Sequence, residues 1–225
     1  MKIVCLTQRP VQTLILMYLL GKKNFSFDGV AYYDLKKNNP LGFRDEGSFS
    51  WKALREQCKL LNIPFKKLSD INSKKSLDSL KKMKSDCAIS LVVDTIIKKK
   101  IITIFQKGIY SSHGGMMPYY RGNDCTYWSI LNNESRVGIT LQRIASGVDT
   151  GKIVKVSNLL VNNYKSIDEI SKDLYYKFKL YDFANLFEKL KINKKIKYKN
   201  KNYQRSKQYF AMHQTLIKIV QEKLK

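Results

Sequence analysis

Cys87-Ala88-Ile89-Ser90-Leu91-Val92-Val93 is the stretch that decides the fold of this chain. It is apolar almost without break and does not alternate. A strand covered on both faces reads this way, as the strands of parallel sheets do. Before it, Ser73 to Met83 predicts a lysine-rich amphipathic helix with Leu77, Leu80 and Met83 on one stripe. Ile63-Pro64-Phe65 is a brief extended piece, and Ser48 to Leu61 predicts a helix whose Trp51, Leu54, Cys58 and Leu61 recur at spacings of three and four. Further back, Phe27 to Tyr33 and Ile3 to Thr7 read as buried strands. Gln8-Arg9-Pro10 turns the chain from the first strand into a helix reaching Leu20. Gly21 is expected to end that helix with a positive φ. Pro40 to Gly47 is expected to be a loop. Strands that alternate with helices predict an α/β fold: Rossmann-like, with a mostly parallel twisted sheet flanked by helices. Right-handed crossovers then bring the carboxyl ends of the strands to one edge, where open α/β sheets bind ligands.

On the other side of the run the alternation stops. Ile109 to Gly122 is rich in Ser, Gly and Pro and reads as a loop, yet it carries His113, Tyr119, Tyr120 and Arg121. Asp124 to Leu131 predicts a helix bearing Trp128. Val137 to Ile144 and Ile153 to Val161 predict strands on either side of a tight loop, Ser146 to Gly151, around Asp149. A long helix is expected over Asp168 to Leu190, a basic connector over Lys191 to Tyr203, and a last helix from Gln208 to the end. A soft boundary near Val161 divides an α/β core, 1–161, from a smaller, mainly helical extension, 162–225.

The chain has 225 residues, 44% of them hydrophobic, which suits one core with an appendage. Its formal charge is +24, carried mostly by lysines scattered from Lys22 to Lys225. A nucleic-acid binder needs its cations along one face. Even scatter reads instead as a solvated surface, so no nucleic-acid partner is expected, although the field attracts polyanions such as nucleotide diphosphates. Cys5, Cys58, Cys87 and Cys125 lack zinc-site spacing and read as buried thiols in a reducing compartment. No metal is expected. The start of the chain is strand-like rather than a signal peptide, and Val11 to Leu20 is too short to span a bilayer, so a cytoplasmic protein is expected. Leu6 to Val11 contains no glycine, which removes support for a dinucleotide cofactor.

The candidate chemistry lies in two loops. Ser111-Ser112-His113-Gly114-Gly115-Met116-Met117-Pro118-Tyr119-Tyr120-Arg121-Gly122 sets a histidine among small residues that let a ligand approach the backbone, and Gly147-Val148-Asp149-Thr150-Gly151 sets a carboxylate between glycines. Brought together, His113 and Asp149 can orient an imidazole and share proton transfer. Taken alone, a histidine is more often structural than catalytic, and an aspartate beside glycine is usually just a turn.

The whole segment from Gly108 to Val154 resembles the signature region of the folate-dependent formyltransferases. His113, two small residues, two aliphatic residues, Pro118, then Arg121-Gly122 fill that family's loop. Gly138-Ile139-Thr140 fills its Gly-x-Thr strand, and Asp149-Thr150-Gly151 its Asp-x-Gly loop. The resemblance implies 10-formyltetrahydrofolate as co-substrate and an amine as acceptor. It implies that His113 donates to the growing formyl oxyanion or takes the amine proton, with Asp149 orienting it and favouring its cationic form. The family's asparagine two residues before the histidine is Ser111 here, a third catalytic candidate with a shorter reach. The folate is implied to lie along Leu91, Val92, Val93, Asp94 and Thr95, and against Gly147 and Val148. Tyr119-Tyr120-Arg121-Gly122 and Trp128 look most like the sugar-nucleotide N-formyltransferases, which act on amino-deoxysugars linked to dTDP or UDP and are often homodimers. Arg9 is then expected at the pyrophosphate, with Gly114, Gly115, Tyr120, Arg121 and Trp128 facing the substrate. Residues such as Tyr120 and Trp128 are more often packing residues than base stackers. Glycinamide ribonucleotide, methionyl-tRNA, water as acceptor, and folate binding without turnover remain alternatives.

Overall fold

The computed structural model describes residues 1–34, 46–92, 95–199 and 206–225. The elements in chain order are β1 (Ile3–Thr7), α1 (Pro10–Gly21), β2 (Gly29–Tyr32), α2 (Gly47–Leu60), β3 (Phe65–Lys67), α3 (Lys74–Lys82), β4 (Cys87–Leu91), α4 (Lys99–Ile102), β5 (Gly108–His113), β6 (Tyr120–Gly122), α5 (Cys125–Leu131), β7 (Arg136–Arg143), β8 (Lys152–Leu160), α6 (Ile167–Asp173), α7 (Leu180–Lys191), β9 (Lys207–Tyr209) and α8 (Gln214–Glu222). By packing they fall into two units. One comprises Met1–Ser111 with Phe183–Ile196, the other Ser112–Asp182 with Lys197–Lys225.

In the first unit β1 to β5 run parallel in the order β3-β2-β1-β4-β5. Cys5 of β1 faces Val30 on one side and Ile89 on the other. Every residue of β1, β2 and β4 is buried, as their unbroken apolar runs predict for strands covered on both faces. The mostly parallel α/β sheet expected from the sequence is present. The turn into α1 is tied by Thr7, whose Oγ1 accepts from the Arg9 N–H at 2.8 Å and from the Thr13 hydroxyl at 2.8 Å. Ser73 caps α3 by accepting from the Ser76 N–H at 3.2 Å. Phe187 of α7 meets Phe27 edge to face at 5.2 Å.

Three expectations change in this region. Gly21 does not end α1 with a positive φ. Asn24 does, at φ 58°, and the Phe25 N–H reaches back to the Leu20 carbonyl at 3.0 Å. β4 stops at Leu91, and Val93 and Asp94 lie outside the described residues, as does most of the expected Pro40 to Gly47 loop. Finally, Ile109 to Gly122 is not all loop. β5 continues the parallel sheet beside β4, with Ala88 facing Ile109 and Ser90 facing Ser111. The buried residues Gly108, Ile109 and Tyr110 anchor it, while half-buried Ser111 and Ser112 hide it from an apolar-run reading.

In the second unit β7 and β8 form an antiparallel hairpin with a register shift between Leu141 and Gln142. Ile130, Val137, Ile139, Leu159, Ile170, Leu174, Met212 and Val220 share one apolar cluster. The long helix expected over Asp168 to Leu190 is α6, a π-helical stretch Leu174–Lys179, and α7 in succession. The single terminal helix expected from Gln208 is instead β9 followed by α8, which starts after His213 where the ring Nδ1 accepts from the Thr215 N–H. Beyond Val161 the chain is mainly helical. Among the described residues no helix is long and apolar enough to cross a membrane. Cys5, Cys58, Cys87 and Cys125 are buried free thiols, and burial pushes Cys58 up to about 11.

Asp182 is 5% exposed and accepts from the Ser157 hydroxyl at 2.7 Å and from Lys155 Nζ. Lys155 is half exposed, so the ion pair itself adds little. The buried hydroxyl matters more, because an unmade buried hydrogen bond costs about 1–3 kcal/mol. Asp182→Ala is therefore expected to lower stability by about 1–3 kcal/mol in a urea titration, with Asp182→Asn losing less.

Candidate functional site

β5 delivers His113 to the start of the second unit with only 8% of its surface exposed. Its ring nitrogens face two different acceptors. Nε2 lies 2.8 Å from the Tyr120 carbonyl, and Nδ1 lies 3.2 Å from Asp149 Oδ2. A ring with a single proton serves one of these acceptors, and the imidazolium serves both.

The Asp149 carboxylate is held from three directions. Oδ2 also accepts from the Gly122 N–H at 3.0 Å, and Oδ1 accepts from Gln142 Nε2 at 2.9 Å. Hydrogen bonds to an ionised group are the stronger kind, so the carboxylate is fixed in position and its charge is shared among donors. Asp149 sits at φ 47°, a left-handed conformation that aspartate tolerates better than most residues. Its loop is clamped at two points. Gln142 Oε1 accepts from the Gly151 N–H at 3.1 Å, and the Arg121 guanidinium donates to the Val148 carbonyl at 3.1 Å. A side chain at Gly151 would put its Cβ 2.3 Å from the Arg143 carbonyl oxygen, so the loop closes only on glycine.

The segment after His113 is tied down in the same way. Thr140 donates to the Gly115 carbonyl at 2.7 Å and accepts from the Met117 N–H at 3.0 Å. This is the physical use of the threonine in Gly138-Ile139-Thr140: it fastens the histidine-bearing loop to β7.

The expected site residues are placed as follows. His113 and Asp149 meet. Ser111 lies on β5 two residues before His113, half-buried and in register with Ser90. Leu91 ends β4 and is buried, the Val92 N–H bonds Ser90 Oγ at 3.3 Å, and Thr95 is partly buried. Val93 and Asp94 lie outside the described residues. Gly147 and Val148 form the Asp149 loop. Arg9, in the first unit, pairs with Glu46 at 2.9 Å. Gly114 has open space around it, and Gly115 is tightly enclosed. Tyr120 is 5% exposed, donates from its hydroxyl to Glu134 at 2.8 Å and stacks on Tyr209 with ring centres 5.1 Å apart. Burial pushes its phenol up. Trp128 Nε1 donates to the Phe210 carbonyl at 2.8 Å. Tyr120, Arg121 and Trp128 thus all place polar atoms on neighbours within their own unit.

Gln142 and Gly122 are the site residues that sequence reasoning missed. Gln142 falls in step with Gly138 and Thr140 on the less apolar side of an alternating strand, a side that sequence reading gives to solvent, yet the strand is buried on both faces and Gln142 is 3% exposed. The one available signal was its place on the same side as Thr140 of the Gly-x-Thr motif. Among the described residues no group of three or more His, Cys, Asp or Glu could hold a metal ion.

The Formyl transferase family profile matches residues 52–177, more than half of the chain, and its span includes His113, Gln142 and Asp149. The methionyl-tRNA formyltransferase of Finegoldia magna is 27% identical over 131 residues, which cover 58% of this chain and 42% of that protein. The chain thus spans less than half the length of the curated relatives it matches. Among solved structures, the N-formyltransferase from Helicobacter canadensis in complex with folinic acid and dTDP-3-aminofucose superposes with a TM-score of 0.62 at 20% identity, covering 92% of this chain and 70% of that one. A sugar N-formyltransferase from a Shewanella species superposes with a TM-score of 0.65 at 13% identity, covering 99% and 86%. At such identities the structures speak for the fold, which is the Rossmann-like formyltransferase fold. The family match rests on sequence and encloses the fixed His113–Asp149 pair: the chain belongs to the formyl transferase family.

Proposed function

We propose that this protein transfers the formyl group of 10-formyltetrahydrofolate to the amine of an amino-deoxysugar linked to dTDP or UDP. The observation that carries the reading is the His113–Asp149 pair at 3.2 Å, with the carboxylate pinned by Gln142 and Gly122. In the reaction the acceptor amine attacks the formyl carbon, negative charge grows on the formyl oxygen, the amine loses a proton, and the folate nitrogen leaves with one. An imidazole held by a carboxylate can give and take these protons. A donor that strengthens as charge develops is worth a few kcal/mol of barrier, on the order of a hundredfold in rate. To engage the substrate, the His113 ring must exchange its bond to the Tyr120 carbonyl for one to the reacting atoms. Ser111 is the companion donor. For the folate we propose the backbone after β4, at Leu91, Val92 and Thr95, where Leu91 is buried and main-chain groups can read a pterin edge.

The nucleotide-linked sugar is favoured by the Tyr119-Tyr120-Arg121-Gly122 continuation and Trp128 in the sequence, which look like those of the sugar-nucleotide N-formyltransferases. Buried free thiols support a cytoplasmic setting, and a homodimer follows from the same resemblance. Methionyl-tRNA is the second acceptor to consider, because a curated relative uses that name and the chain carries a charge of +24.

The test is release of tetrahydrofolate from 10-formyltetrahydrofolate, with and without dTDP- or UDP-linked amino sugars or charged initiator tRNA. Release only with an amino sugar supports the reading, and release only with tRNA replaces it. Release with no acceptor identifies a hydrolase, and folate binding without release a non-catalytic homologue. Ser111→Asn is expected to raise kcat, by up to about a hundredfold, if the serine is a handicap. A fall in steady-state rate would show that the hydroxyl has a role of its own.

A further inference from the structure

β6 carries both backbone groups that hold the catalytic pair. The Tyr120 carbonyl accepts from His113 Nε2 at 2.8 Å, and the Gly122 N–H donates to Asp149 Oδ2 at 3.0 Å. Yet β6 is three residues long, and its sheet partner is β9, from the far end of the chain. A strand so short has little stability of its own and depends on what packs against it.

The segment Lys207 to Met212 is laid along β6 and the start of α5 by a continuous series of contacts. β9 runs parallel to β6, with Tyr120 facing Lys207, Arg121 facing Gln208 and Gly122 facing Tyr209. The Lys207 N–H reaches the Tyr119 carbonyl at 3.3 Å, and the Asn123 N–H reaches the Tyr209 carbonyl at 3.0 Å. The Tyr209 ring stacks on Tyr120 at an interplanar angle of 10°, and its hydroxyl accepts from Asn132 at 3.2 Å. Trp128 holds the Phe210 carbonyl at 2.8 Å, and Asp124 Oδ2 accepts from the Met212 N–H at 2.9 Å. Gly122 has no room for a side chain because the Tyr209 carbonyl oxygen would lie 2.1 Å from its Cβ. All of these strap residues lie beyond residue 177, where the family match ends.

We propose that this C-terminal strap is a positioning element for the His113–Asp149 pair, acting through β6. Tyr209 and Asp124 are its positioning residues. When the strap is seated, Tyr120 and Gly122 present their carbonyl and N–H at fixed points. When it lifts, the carboxylate loses its anchor on the Gly122 N–H, and the imidazole loses the fixed resting place on the Tyr120 carbonyl from which it turns to the substrate. The geometric coupling stands by itself, while its effect on rate rests on the proposed transferase function.

The chain has two histidines, so 15N-histidine labelling of this chain with His213→Asn leaves His113 as its single imidazole. In that background Tyr209→Ala and Asp124→Ala are expected to shift the His113 ring-nitrogen resonances and to speed trypsin cleavage after Lys207. They are also expected to lower kcat by about ten- to a hundredfold, with the KM for the folate little changed. Asp124→Asn keeps an acceptor for the Met212 N–H and is expected to match the parent in all three readouts. His113 resonances that stay put while Lys207 becomes cleavable overturn the proposal, and so does Asp124→Asn behaving like Asp124→Ala. If Tyr209→Ala does not fold, Asp124→Gly against Asp124→Asn decides, because Asp124 sits at φ 50°, which glycine and asparagine adopt without the strain that alanine adds. If the parent shows no transferase activity, the resonance and cleavage arms still decide the coupling, and only the proposed function falls.

Discussion

Asp149→Asn is expected to lower kcat by about a hundred- to ten-thousandfold while leaving the protein folded. The substitution keeps the shape of the side chain and removes its charge. Oδ2 takes His113 Nδ1 and the Gly122 N–H, and Oδ1 takes Gln142 Nε2. An amide has one acceptor oxygen, so it can serve one side of this arrangement only. With its oxygen toward His113, its NH2 group confronts the Gln142 NH2. If Gln142 flips to relieve that clash, its oxygen leaves the Gly151 N–H. With its oxygen toward Gln142, it points a donor at His113 and at Gly122. Either way one buried donor loses its partner, which costs about 1–3 kcal/mol, and the imidazole loses the charged group that orients it. Stability therefore falls modestly and rate falls steeply. The measurement is kcat/KM beside a urea titration of the same preparation. Loss of stability with turnover intact would sink the proton-handling role for this pair. His113→Asn should cost about as much as the double variant with Asp149→Asn, because two groups acting as one unit are far from additive.

The parts of this site that were legible in the sequence, and those that were not, differ by the kind of group that does the work. His113 and Asp149 act through side chains, so their residue types and spacing could be matched to a family's signature loops, although residue type and the glycines around them did not by themselves separate them from a structural histidine and a turn aspartate. Tyr120 and Gly122 act through a carbonyl and an N–H, which every residue but proline possesses, so no residue type announces them. The same contrast runs through the fold. β1, β2 and β4 are buried on both faces and write that burial as unbroken apolar runs. β5 has equal standing in the parallel sheet, but its last three residues are Ser111, Ser112 and His113, and the apolar run is cut short. Lys207 and Gln208 of β9 are exposed, and the strand exists because Tyr120, Trp128 and Asp124, some eighty residues earlier, hold it there. Tertiary contacts of that kind override local propensity toward helix. Trp128 and Tyr120 drew attention as aromatics. Their ring contacts with Tyr209 and their polar bonds give them a packing use that a sequence cannot separate from ligand stacking.

Gly115→Ala is expected to damage the site almost as severely, and by a route that Gly114→Ala does not share. A Cβ at Gly115 would stand 2.6 Å from His113 Nε2, 2.7 Å from the Tyr120 carbonyl oxygen and 2.7 Å from the Cys125 Cβ. It would be driven into the hydrogen bond that seats the imidazole, between two atoms that are 2.8 Å apart. Neither neighbour is a loose end. Tyr120 is backbone in β6, and the Gly115 carbonyl is itself held by Thr140 at 2.7 Å. Something must move, and overpacking of this kind costs about 1–3 kcal/mol. An imidazole displaced by about 1 Å costs on the order of a hundredfold in rate. At Gly114 an added Cβ meets nothing within 4 Å, so Gly114→Ala should melt at the parent temperature. Any loss of activity in Gly114→Ala would then come from crowding a ligand rather than from the protein, and would appear in KM more than in kcat. The pair of variants separates two reasons for a glycine in this loop. At 115 the protein needs the space for its own histidine, and at 114 the space is open to whatever binds. Equal melting temperatures and equal rates in Gly115→Ala and the parent would show that His113 is not confined as the distances require, and the seating of the imidazole by Tyr120 would have to be abandoned.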